Sequence, residues 1–151
     1  MIHFFRMIAQ FERKSHVMKK LYFEALTMLL WSRLITLIPF SKIATRLGTH
    51  NRESTFFDAP ENRELLEQIN QAVRVVSRHV FWRSLCLQQA IAALYMLRRR
   101  HISCTLYLAV AKGQNQKMVA HALLRSGSYY VTGAGTNLAL TIVGTFASDA
   151  V

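Results

Sequence analysis

Apolar residues recur at helical spacing through the first two-thirds of the chain and at shorter, strand-like intervals after it. Between residues 19 and 38, Leu21, Ala25, Met28, Leu29, Trp31 and Leu34 predict one helix. Pro39 stops it, because its ring lacks an N–H and clashes with the preceding turn. A short helix from Ser41 to Leu47 follows, with Gly48 as its C-cap. Residues 49–60 (THNRESTFFDAP) are polar and aperiodic and read as a linker. A third helix runs from about Glu61 to His79, acids first and bases last, as the helix dipole favours. Ser84 stands where an N-cap would start a fourth helix to about Arg100. Its buried face draws on Leu85, Cys86, Leu87, Ala90, Ile91, Leu94, Tyr95 and Leu97.

The period then shortens. Ser103–Val110, Met118–Arg125, Ser128–Thr132 and Leu140–Phe146 are brief, rich in β-branched and aromatic residues, and separated by turn formers. Ser126-Gly127 reads as a two-residue hairpin turn. That register sets Arg125 against Ser128 and Thr132 opposite His121, on one sheet face. Helices followed by antiparallel strands make an α+β protein: N-terminal helices, then a helix packed on a small antiparallel sheet. The organisation expected is a helical extension and linker over residues 1–60 and the core domain over residues 61–151.

Composition narrows the class. At 151 residues with 52% apolar content the chain builds one domain with a real core and is not a disordered tail. Two cysteines are too few for a disulfide framework, which points to a reducing, cytoplasmic setting. Met1 to Val17, broken by Arg6, Glu12, Arg13 and Lys14, lacks the apolar run of a secretory signal. The stretch Leu21–Phe40 is long enough to span a bilayer, but Glu24 and Arg33 inside it oppose that, so membrane contact is not expected.

The net charge of +11 is uneven: +3 over residues 1–67 and +8 over residues 68–151, where Asp149 is the single acid. Such a field suits an anionic partner. Nucleic acid ranks last, since neither an aromatic stacking pattern nor a helix-turn-helix accompanies the charge.

Two residues carry candidate chemistry. Cys86 falls in the first turn of its helix, where unpaired N–H groups and the positive dipole end stabilise a thiolate, with Arg83 just upstream. His121 lies in a strand between Ala120 and Ala122, which leave room around the ring. A helix-start cysteine beside a strand histidine is a thiolate–imidazolium nucleophile pair. Taken singly, each is more often structural: a buried small hydrophobe, or a hydrogen-bonded histidine. Cys104 sits mid-strand and reads as core. No metal-ligand spacing, phosphate loop or dinucleotide fingerprint is present, so no cofactor and no metal are expected. Three groups compete to orient the imidazole: the Thr132 hydroxyl, Asn137, and a backbone carbonyl near Gly133.

The stretch Phe81-Trp82-Arg83-Ser84-Leu85-Cys86-Leu87-Gln88-Gln89-Ala90, then Thr105–Val110, Ala120-His121-Ala122-Leu123 and Val131-Thr132-Gly133, resembles in order and spacing the leader peptidases of lasso-peptide biosynthesis. These are similar to transglutaminase-like and papain-like cysteine proteases. The resemblance implies a cysteine peptidase that removes the leader from a ribosomally made precursor, in its split, protease-only form. Its implied partners are the precursor leader peptide, a separate leader-recognition protein and the ATP-dependent macrolactam synthetase. It implies Cys86 and His121 as catalytic residues; the hairpin register adds Thr132 as orienting group, and Gln88, Gln89 and Trp82 are placed around the substrate and oxyanion by their nearness to Cys86 in sequence. Two departures stand out. Leu123 replaces the usual Trp two places after the histidine, and Gly133 occupies a position, twelve after it, where many members carry Asp.

Overall fold

The computed structural model describes residues 15–149, so the reading of Met1–Lys14 falls outside the described residues. Helix α1 (His16–Ile35) begins where the Ser15 hydroxyl accepts the Met18 N–H at 3.4 Å. It stops at Thr36, whose hydroxyl donates back to the Arg33 carbonyl at 2.9 Å. Pro39 does not terminate α1 directly; it stands as N-cap of α2 (Phe40–Leu47), where a missing N–H costs nothing. Ile43 and Leu47 are the buried side chains of α2.

Gly48 is the C-cap of α2, as expected, and also a close-approach residue. Its φ is 143°, and a Cβ there would lie 2.3 Å from the Ala147 carbonyl oxygen. That contact lets β1 (Thr49–His50) join the sheet edge against β5.

After a 3-10 turn at Pro60–Asn62, α3 (Arg63–Ser77) buries Leu66, Ile69, Ala72 and Val73. Helix α4 (Cys86–Arg98) is apolar all round and correspondingly central, with Ala90 to Leu94, Met96 and Leu97 fully buried.

Strands β2 (Cys104–Lys112), β3 (Met118–Ser126), β4 (Tyr129–Thr132) and β5 (Thr141–Ser148) complete an antiparallel sheet of order β1-β5-β2-β3-β4. The protein is α+β, as its pattern of periods predicts. Helices α3 and α4 pack with the sheet through a core that includes Leu106, Ala122, Leu124, Val131 and Phe146. Helix α1 lies outside them, packed across α3 and α4.

Arg100 grips Glu24 with two bonds of 2.9 and 2.7 Å, and Arg99 lies at 3.7 Å. The Arg98–Arg100 run therefore ties elements together, Arg98 also donating to Ser148 Oγ and the Arg46 carbonyl. The hairpin turn is Gly127-Ser128, with Ser126 opposite Tyr129 and Gly127 taking φ 56°. Asp58 sets this turn by accepting from both the N–H and the hydroxyl of Ser128 at 2.6 Å. A bulge beyond it places Thr132 opposite Leu124, not His121.

Residues 49–60, aperiodic in sequence, are nonetheless strapped to the sheet. Ser54 is buried and bonds Thr105 Oγ1 through both its N–H (2.8 Å) and its hydroxyl (2.7 Å). Arg125, 1% exposed, donates to the Ser54 carbonyl at 3.0 Å and to Tyr107 Oη at 2.9 Å, with its guanidinium 3.6 Å above the Phe56 ring.

Candidate active site

Leu85, not Ser84, is the N-cap of α4, so Cys86 is the first helical residue. A cap lacking a polar side chain leaves first-turn N–H groups unpaired unless another group serves them. Gln88 does part of that work: its Oε1 accepts the Leu85 N–H at 3.3 Å while its Nε2 donates to Thr36 Oγ1 at 3.2 Å. Gln89 Nε2 donates to the Ser84 carbonyl at 3.1 Å. Both glutamines, expected as oxyanion donors, thus brace the start of α4 with their side-chain amides. Trp82 packs half-buried on the core beside the almost fully exposed Phe81. Its Nε1 and the Ser84 hydroxyl are buried without a hydrogen-bond partner among the described residues.

The thiol of Cys86 is half-buried and free. Cys104 is also free but fully buried, and burial pushes its thiol up to about 12, which keeps it protonated and inert.

His121 is held by one bond, from Nε2 to the Gly133 carbonyl, at 2.9 Å. A carbonyl only accepts, so Nε2 carries a proton here and Nδ1 is the ring nitrogen left over. Nδ1 has no hydrogen-bond partner among the described residues. The Thr132 hydroxyl, expected to orient the ring, is instead buried without a hydrogen-bond partner among the described residues, its residue set opposite Leu124 after the bulge.

Gly133 is fixed by space. Its φ is 83°, and a Cβ would come 2.4 Å from the Ala122 carbonyl oxygen. Position 133 therefore admits no side chain, and a main-chain oxygen bonds the imidazole. It aligns the ring but supplies no full negative charge to balance an imidazolium.

The β2–β3 ladder runs without interruption, pairing Ala109 with His121. Ala122 and Leu124 enter the helix-side core, while Leu123 joins Tyr107 and Ala109 in a small cluster on the other face. By strand alternation His121 shares the Leu123 side. At its level β4 has already ended, leaving only the Gly133 turn alongside. Cys86 and His121 are not hydrogen-bonded to each other. A cleft of about 550 Å³ lies elsewhere, at the opposite end of α4, lined by Asp58, Arg63, His101, Ser126 and Tyr129 among others.

Among the described residues no cluster of three His, Cys, Asp or Glu side chains is placed to hold a metal. No described helix is long and apolar enough to cross a membrane.

The fold thus sets a helix-start cysteine on one side of an antiparallel sheet and a hydrogen-bonded histidine on the other. Residues 34–145 match the Transglutaminase-like superfamily, and the chain belongs to that superfamily. No curated protein and no solved structure gives a significant match.

Proposed function

We propose that this protein is a cysteine peptidase that removes the leader from a ribosomally made lasso-peptide precursor. The observation that supports it most directly is the Nε2–H bond from His121 to the Gly133 carbonyl, which leaves Nδ1 as the available base on a strand packed by the Cys86 helix. In the proposed reaction His121 Nδ1 takes the Cys86 thiol proton, the thiolate attacks the carbonyl carbon of the leader–core peptide bond to form a thioester, and His121 returns that proton to the core amine as the C–N bond breaks. Water, deprotonated by His121, then cleaves the thioester and frees the leader carboxylate. First-turn N–H groups of α4, with that of Cys86 foremost, stabilise the oxyanion. Substrate binding has to bring the ring and the sulfur together around the open edge beside Gly133. A separate leader-recognition protein would deliver the precursor, and the macrolactam synthetase would take the product. The two free thiols suit a cytoplasmic location.

A second reading is favoured by the side of β3 on which His121 stands and by the lack of a carboxylate at Gly133: a peptide-binding scaffold with no turnover. Incubating the protein with precursor and recognition partner, followed by mass spectrometry, separates these. Cys86→Ala should abolish cleavage, and His121→Ala should slow it about a hundred- to ten-thousand-fold. Cleavage that survives Cys86→Ala ends the peptidase reading. A product joined to an added amine in place of water would instead mark acyl transfer, the other chemistry of a transglutaminase-like fold.

A further inference from the structure

Helix α1 is apolar on both faces, which is the signature of a helix covered all round, yet it forms the outer layer of the molecule. Its inner face, with Leu21, Ala25 and Leu29, is buried. On its outer side Phe23 is 70% exposed and Leu37, just past its end, is 77% exposed, with Leu26, Leu30, Trp31 and Leu34 between 41 and 52%. A run of large apolar side chains on this scale marks an interaction surface. Phe23, Leu26, Leu30, Leu34 and Leu37 follow one another in steps of three, four, four and three residues, the spacing by which one helix reads another.

The charge around this stripe selects the occupant. On α1 itself Lys20 is exposed and Arg33 partly so, Lys42 in α2 and Arg83 before α4 are exposed as well, and Glu24, the one carboxylate between Ser15 and Arg52, is already held by Arg100. A second copy of the chain would bring another net charge of +11 against the same basic rim, which opposes self-pairing. The stripe also leads to the candidate active site. Thr36, at its end, bonds Gln88 in the first turn of α4 at 3.2 Å, and Leu85, 49% exposed, directly precedes Cys86.

We infer that the outer face of α1 is the docking surface for an amphipathic helical segment of a partner protein, with an apolar seam and acidic flanks. Seated there, the segment ends beside the start of α4. The docking itself does not require Cys86 to be a nucleophile; the proposed peptidase activity bears only on what the docked chain is for.

The test uses the full chain carrying Cys86→Ala and a fluorescein-labelled synthetic helical peptide with leucines at the same spacing and glutamates on both flanks. The readout is fluorescence anisotropy. The acidic peptide should bind and its lysine-flanked counterpart should not. The double variant Leu30→Glu/Leu34→Glu should weaken binding by more than about tenfold. Arg33→Glu/Lys42→Glu should weaken it most at low salt, and this second pair decides the matter if the first compromises folding by circular dichroism. The inference is overturned by equal binding of both peptides, by unchanged affinity in both double variants, by concentration-dependent dimerisation through this face, or by cosedimentation with phosphatidylglycerol vesicles in place of peptide binding. Because nothing in the assay turns over, its failure leaves the peptidase reading to stand or fall on precursor cleavage.

Discussion

The two ends of β3 are built on opposite plans. At one end Arg125 is almost fully buried, and every face of its guanidinium is answered: the Tyr107 hydroxyl, the carbonyls of Ser54, Thr55 and Gly127, the Phe56 ring, and Glu53 at 3.7 Å. At the other end, four residues earlier, His121 makes a single hydrogen bond beside the exposed Met118, Val119 and Ala120. A permanent charge can be buried only when its donors are all satisfied. The same strand thus carries a fully answered cation and a histidine with one ring nitrogen left over, separated by Ala122, Leu123 and Leu124.

The largest effect expected from breaking this contrast comes at the anchor. Arg125→Ala should lower unfolding free energy by roughly 3–5 kcal/mol, because it strands buried carbonyls as well as removing the cation. Urea denaturation measures it, and a loss similar to that of an exposed arginine such as Arg74 would refute the anchor. Next in size is Gly133→Ala, which must push the chain off the Ala122 carbonyl and strain a positive φ, at a cost of about 1–3 kcal/mol. Its specific signature is a changed NMR chemical shift of the His121 Nε2–H, since its acceptor moves; an unaltered signal would separate Gly133 from His121.

Thiol alkylation sharpens the comparison further. Cys86 should be modified in the folded protein while Cys104, held protonated by burial, is modified only on unfolding. The smallest effect belongs to Asp58, whose hydrogen bonds from the Ser128 hydroxyl and then the Ser128 N–H hold its carboxyl below the ordinary range. A carboxyl lowered in the folded state contributes stability above its unfolded pKa and loses it as the pH falls through the folded one. Asp58→Asn should therefore lower Tm slightly at neutral pH and not at all in strong acid, where the wild type has lost the same contribution.

Much of the fold was legible because its signals are local. Period changes separate α4 from β2, and Gly127 marks the hairpin within one residue. What escaped depends on partners distant in sequence. Ser84 has the right chemistry for an N-cap, but Gln88 supplies the acceptor, steadied by Thr36 more than fifty residues away in the chain. Nothing local says that Asp58 will bind Ser128, and without that contact the turn is misplaced by one residue. The bulge then moves Thr132 away from His121. Cys86 and His121 were legible as residue types, and the Gly133 carbonyl was among the acceptors the sequence left open. The crowding at Ala122 that makes a glycine obligatory there appears only in three dimensions. The strap over residues 51–58 was the least legible, since its order comes from Arg125 and Thr105 and not from its own pattern.

That strap has a practical corollary. Phe57, 75% exposed, sits between the buried Ser54 and the Asp58 clamp, while α1 remains packed against α3 and α4. A single proteolytic nick there should leave two fragments that stay assembled and can be recombined from separate expression, so the molecule offers a natural breakpoint for a split reporter or for new termini.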